Sequence, residues 1–115
     1  MDFSDILNLK RGYAEKLIQL ESETKRLEDL EIDVVEKETL YREAKAKSFL
    51  KLLSEDVKVT VISAIAAGET ARIRREFKIA KGILNASKEN IKRIHAGIDA
   101  YRTLISISKA EINIR

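Results

Sequence analysis

An all-α fold is predicted for this chain by three observations: it contains no proline, it has only four glycines in 115 residues, and its apolar residues recur at every seventh position through two long stretches. Proline would remove a backbone donor and clash with the preceding turn, so its absence permits long uninterrupted helices. The expected architecture is an elongated antiparallel hairpin of two coiled-coil-type helices within a single helical domain, 1–115. The boundaries are a first helix over about 4–53, a turn at about 54–57, and one or two helices over about 58–113 with a break at 68–70.

The first helix rests on the apolar column Ile6, Tyr13, Leu20, Leu27, Val34 and Tyr41, spaced by seven, before Ser48 is reached. Three residues on, the companion position is filled by Leu9, Leu30 and Ala44, while Leu17 and Leu52 move the seam to its neighbour. Such spacing places one apolar stripe on one face. Between the helices, 53–62 alternates valines with polar residues in the period of a strand. A lone strand has no partner in this chain, and Ile62, Ile65 and Ala66 resume helical spacing, so the segment reads as a turn followed by helix. Ser54 or Asp56 is expected to cap the new helix. Gly68 and Thr70 either end a short middle helix and cap the next one, or lie within a continuous helix at a cost of ~1 kcal/mol.

The last segment carries Phe77, Leu84, Ile91, Ile98, Ile105 and Ile112 at a spacing of seven, with Ile73, Ala80, Ile94 and Tyr101 beside them. This stripe is wider, because Ile79, Ile83, Ala86, Ala100, Leu104, Ile107 and Ile114 extend one edge. A hairpin buries one seam and leaves that edge in water, which favours self-association, a dimer forming a helical bundle being the simplest form. The residues assigned to a self-association seam are Leu20, Leu27, Val34, Tyr41, Phe77, Leu84, Ile91, Ile98 and Ile105.

Composition narrows the chemistry. Without cysteine there are no disulfides, thiolate metal sites or cysteine nucleophile. The acidic start, 1–5, lacks the basic and apolar run of a secretory signal, and the longest apolar stretch, 57–67, is about half the ~20 residues a membrane span requires. A cytoplasmic protein without membrane contact is expected. The carboxylates Glu31, Asp33, Glu36 and Glu38 fall on several helix faces with no Glu-x-x-His, so no metal is assigned. The glycines do not cluster as in nucleotide-binding loops, and the single histidine, His95, has no serine or cysteine arrangement to make it a catalytic base. No enzymatic activity, cofactor or catalytic residue is expected. Gly82 and Gly97 are read as polar-face positions or close helix approaches.

Charge is divided unevenly. Residues 1–57 carry 10 Lys/Arg and 14 Asp/Glu, a balance of −4, whereas 58–115 carry 12 and 5, a balance of +7. Arg74, Lys78, Lys81, Lys88, Lys92 and Arg102 form a ladder on one face of the last helix, with Asn85 and His95 between them. It can pair with the carboxylates of the first helix, or it can take an acidic partner or nucleic acid, whose phosphates are drawn by charge regardless of sequence. Aromatic residues are not interleaved with it, because Phe77 and Tyr101 belong to the seam.

The order Tyr41-x-x-Ala44-Lys45-Ala46 with Phe49-Leu50, then Val57-Lys58-Val59-Thr60, then a long helix ending 98–111 as Ile-Asp-Ala-Tyr-Arg-Thr-Leu-Ile-Ser-Ile-Ser-Lys-Ala-Glu, resembles small helical coiled-coil accessory proteins encoded by tailed bacteriophages and prophages. The likeness covers about 41–111. It implies an accessory role in DNA recombination or replication, or interference with a host protein, and it implies no particular site residues. Together these readings predict a non-enzymatic interaction protein. The alternative is a nucleic-acid-binding accessory factor that uses the ladder.

Overall fold

The computed structural model describes residues 2–114, and these form three α-helices: α1 (Phe3–Ser54), α2 (Val59–Glu69) and α3 (Ala71–Ile114), with no strand among the described residues. The fold is all-α. Contacts divide the chain into two compact units, one built from Met1–Leu27 with Ala86–Arg115 and the other from Glu28–Asn85. Each contains a stretch of α1 against an antiparallel stretch of α3; the second also contains α2.

The start of α1 is closed by a reciprocal pair. The Asp5 N–H donates to the Asp2 carboxylate, and the Asp2 N–H donates to the Asp5 carboxylate, both at 3.0 Å. This satisfies donors that the first turn leaves without intrahelical partners, and it sets negative charge at the positive end of the helix dipole. The signal is the Asp-x-x-Asp spacing at 2–5, which the sequence reading passed over.

Neither Ser54 nor Asp56 caps α2. The Ser54 hydroxyl donates back to the Lys51 carbonyl (2.6 Å), and the residue at the α2 cap is Lys58, which makes no side-chain cap bond. The chain instead ends α1 in a six-residue closure. Val57 N–H reaches the Leu52 carbonyl (3.2 Å), Asp56 N–H reaches the Leu53 carbonyl (3.3 Å), and Asp56 takes the left-handed conformation at φ 57°. That position ordinarily belongs to glycine, whose missing β-carbon avoids a clash with the following carbonyl. Val57 then folds onto Leu52, the apolar contact that accompanies this type of helix end. Asp56→Gly is expected to raise stability by about 1 kcal/mol, because the relief of left-handed strain exceeds the added flexibility of the unfolded chain. Urea unfolding of the variant beside the wild type reads this as a higher midpoint at unchanged slope.

The break between α2 and α3 falls at Thr70 (φ −103°, ψ 6°), and Gly68 contributes no unusual backbone angle to it. Thr70 does not cap α3 with its side chain. Its hydroxyl donates backward to the Ala66 carbonyl (2.7 Å), where its own N–H also bonds, and the Arg74 N–H picks up the Thr70 carbonyl (3.0 Å). The ladder of bonds thus passes almost unbroken through a local bend, the usual effect of a back-bonded threonine.

In the second unit the core consists of Leu52, Ile62 and Ala66, with Phe49 and Val57 packed on it. Farther along, Tyr41 stacks on Phe77 with ring centroids 6.0 Å apart, and the Ser48 hydroxyl donates to the Glu69 carboxylate (2.6 Å), tying α1 to α2. In the first unit Ile6, Ile94 and Ile98 are buried. There α3 comes close to α1 at Gly12, where an added β-carbon would lie 2.5 Å from the Tyr101 hydroxyl oxygen. Gly97 is also approached, by the Lys16 stem at 3.3 Å, whereas Gly82 faces open space. Of the two alternatives read for these glycines, Gly97 takes the close approach and Gly82 the open, exposed position.

Candidate interaction surfaces

The heptad columns are largely covered by the same chain. Leu84 and Ile98 are buried, and Leu20, Leu27, Val34, Tyr41, Phe77, Ile91 and Ile105 are half-buried. The residues expected to bind a second copy therefore already serve the intramolecular seam, because a hairpin brings the two columns face to face. What stays open is the pair of flanks beside the seam.

In the second unit the two flanks differ in chemistry. One runs along α1 as Asp33, Glu36, Leu40, Glu43 and Lys47, and along α3 as Arg72, Glu76, Ile79 and Ile83, each spaced alternately by three and four. A groove of about 240 Å³ lies along this side, lined by Leu40, Glu43, Ala44, Lys47, Ile73 and Glu76. Three large apolar side chains on it stay in water: Leu40 is 56% exposed, Ile79 55% and Ile83 44%. The other flank has Glu28, Glu31, Val35 and Glu38 on α1, with Arg74, Lys78 and Lys81 on α3. It is charged almost throughout.

Pairing of the basic ladder with carboxylates of the first helix, one of the two sequence readings, does not occur among the described residues. The ion pairs between described residues lie within one helix at a spacing of three or four: Glu21–Lys25, Glu23–Arg26, Asp33–Lys37, Glu38–Arg42, Arg72–Glu76, Glu89–Lys92 and Asp99–Arg102. Long side chains gain little from exposed cross-helix pairing, and partners one turn away on the same helix are entropically closer. Of the ladder, Arg74, Lys78 and Lys88 make no ion pair among the described residues, and Lys81 lies over the Phe77 ring at 5.6 Å. Lys92 pairs with Glu89 at 3.0 Å.

Arg102 is engaged differently. Its Nε donates to the Tyr13 hydroxyl (3.3 Å) and its guanidinium lies 5.8 Å from the Tyr13 ring centroid, joining α3 to α1 in the first unit. The hydrogen bond to Tyr13 is the main reason its pKa is raised, with Asp99 adding to it. Beside this pair is a groove of about 440 Å³ lined by Lys10, Tyr13, Arg102, Ile105, Ser106 and Lys109. Lys10 and Lys109 join Arg102 there, a convergence that a ladder read along one helix could not reveal. No match to this chain emerges from comparison with protein families, curated proteins or solved structures.

Polar groups also enter the seam itself. Lys37 stands at a companion position of α1, and its ammonium is held above its ordinary pKa chiefly by a 2.7 Å hydrogen bond to Asp33, with Glu76 and Glu36 adding to the effect. In the first unit, Ser87 Oγ is buried without a hydrogen-bond partner, and Glu23 Oε2 is buried with only a loose 3.8 Å approach to Arg26 Nη1. No described group of His, Cys, Asp and Glu is placed to hold a metal ion, and no described helix is long and apolar enough to cross a membrane.

Proposed function

We propose that this chain is a non-enzymatic interaction protein that acts through the flanks of its helical pairs, associating with itself and with a protein partner. The observation that carries the reading is the exposure of Leu40, Ile79 and Ile83 along one flank, outside a seam that already closes on itself. Apolar side chains grouped on one side cost solvation free energy that a partner would recover. The resemblance to phage accessory proteins adds a setting: the partner is a component of DNA recombination or replication machinery, or a host protein, met in the host cytoplasm.

A second reading is favoured by two groups of cations, most of which make no ion pair among the described residues, Arg102 with Asp99 being the exception. Arg74, Lys78 and Lys81 lie on the charged flank of the second unit, while Lys10, Arg102 and Lys109 share a groove in the first. Either group offers charge to a phosphate backbone, which would make the chain a nucleic-acid-binding accessory factor.

Size exclusion with light scattering, on the protein alone and with a short DNA duplex or single strand at two salt concentrations, separates the readings. A mass above the 13.1 kDa of one chain, unchanged by DNA, is expected. A stable monomer at high concentration removes self-association from the proposal. A DNA-dependent shift at low salt that disappears at high salt moves the assignment to nucleic acid, because each neutralised phosphate releases counterions. Arg74, Lys78 and Lys81 changed together to glutamine would then weaken the shift.

A further inference from the structure

We infer that one flank of the first unit, centred on Lys10, Arg102 and Lys109, is the docking site for an acidic helical segment of a partner protein. The segment's carboxylates meet the cations, and its apolar side chains fill the crevice beside them. The inference rests on the protein-partner reading above and gives that partner a site and a chemistry. The groove that holds Tyr13, Arg102 and Ser106 does not end at Lys10 and Lys109. The same two lysines line a second groove of about 350 Å³, together with Phe3, Ile6, Leu7 and Ile112. Phe3, Leu7, Lys10 and Tyr13 on α1, and Arg102, Ser106, Lys109 and Ile112 on α3, recur at three and four, so the two grooves form one continuous face. Cations thus stand at one end of it and an apolar crevice at the other.

The side chains that line this face select an anion. Three cations share it, and no carboxylate lines either groove among the described residues. Lys10 and Lys109 are exposed and make no ion pair among the described residues. Arg102 is already oriented: its Nε donates to the Tyr13 hydroxyl, which leaves the Nη1 and Nη2 fork for a carboxylate, with a loose 3.9 Å contact to Asp99 to displace. A guanidinium held in this way loses less rotamer entropy on binding. The extent of the site favours a protein segment over a polynucleotide. Arg102 and Lys109 are seven residues apart, about 10 Å along α3, and the next charged side chains on the same face are Asp99 on α3 and Glu21 on α1. A phosphate backbone follows a longer basic track, and it would leave the apolar crevice in water. Phe3 is 72% exposed there and Leu7 61%, an area that leucine-sized side chains of a partner helix recover.

The test uses the full chain and fluorescence anisotropy with labelled synthetic probes, and circular dichroism checks that each variant keeps its helix content. The first probe is a helical peptide of about 15 residues with glutamates seven positions apart and leucines in the turn that follows. One control peptide has glutamine for each glutamate, another has serine for each leucine, and a polythymidine oligonucleotide of similar length stands for nucleic acid. The acidic, leucine-bearing peptide is expected to bind roughly tenfold more tightly than either control peptide. Arg102→Gln, the pair Lys10→Gln/Lys109→Gln and Leu7→Ser are each expected to weaken it by about the same factor. Arg74→Gln/Lys78→Gln, in the second unit, is expected to leave it unchanged. Arg102→Gln also removes the bond to Tyr13, so the lysine pair decides the outcome if that variant loses helix. Binding that survives the substitutions in the groove overturns this site and leaves a protein partner to another surface. Equal affinity for the probe and either control peptide overturns the acidic amphipathic segment as the occupant. Tighter capture of the oligonucleotide, lost in the same variants, assigns the groove to nucleic acid instead, and no binding of any peptide overturns the proposal outright.

Discussion

Ile62→Ala is expected to lower the unfolding free energy by about 3 kcal/mol, within the range found for aliphatic truncations that leave a cavity. Ile62 is 1% exposed, and beside Ala66 of the same helix it holds α2 against Leu52 of α1 in the core of the second unit. The 11-residue α2 is too short to be stable by itself in water, so its helical state depends on this packing. A thermal melt followed by circular dichroism should show a fall of roughly 10 °C or more. Ile65→Ala supplies the comparison: Ile65 is on the same helix and 40% exposed, so it should lose much less. Equal losses at the two positions would show that the contact of α2 with Leu52 does not stabilise the unit.

Gly12→Leu is expected to cost about 2 kcal/mol even though leucine is the better helix former by close to 1 kcal/mol. A β-carbon at this position meets the Tyr101 ring, with Oη at 2.5 Å, Cζ at 2.6 Å and Cε1 at 2.7 Å. The ring must swing out, and it lies next to Arg102, whose bond to Tyr13 joins the same two helices. Pairing Gly12→Leu with Tyr101→Ala should give a loss smaller than the sum of the two single losses, the mark of a direct contact. Gly68→Ala, which meets nothing within 4 Å, should instead gain up to about 1 kcal/mol. Strictly additive losses at Gly12 and Tyr101 would place the cost of the leucine elsewhere.

Much of the helical architecture can be read from the residues because it depends on short-range chemistry. Absence of proline, strong helix formers and a seven-residue apolar period all act within a few turns, so α1 and α3 follow from local preference. The resumption of helical spacing at Ile62, Ile65 and Ala66 likewise favours helix over strand for the middle segment, and α2 starts at Val59. The connection was less legible. An aspartate carrying positive φ at the end of α1 conflicts with its own preference, and the closure is held by Val57 packing on Leu52, which becomes visible only once the chain has turned.

The surfaces show the same division. The ladder Arg74, Lys78, Lys81, Lys88, Lys92 and Arg102 is a fact of helical spacing. Whether each cation is engaged depends on what lies within its reach, on the facing helix or on its own. Tyr13 reaches Arg102 and Phe77 lies beneath Lys81, while Lys88 receives no ionic partner among the described residues. Lys10 and Lys109 join Arg102 at one groove although 99 positions separate them in sequence. The wide stripe of α3 announced unburied apolar side chains, but it could not place Leu40 of α1 on the same side as Ile79 and Ile83.

By itself, the sequence determined that the chain forms long amphipathic helices, where its apolar columns run, and how unevenly its charge is distributed. These follow from backbone propensity and from the 3.6-residue period, which involve only neighbouring residues. Tertiary structure alone decided that the columns face each other within one chain, that Gly12 rather than Gly82 is a point of close approach, and that among the described residues carboxylates and cations pair along helices rather than across them. Those outcomes depend on the register and rotation of one helix against another, which are set by side chains that meet only after the chain folds back.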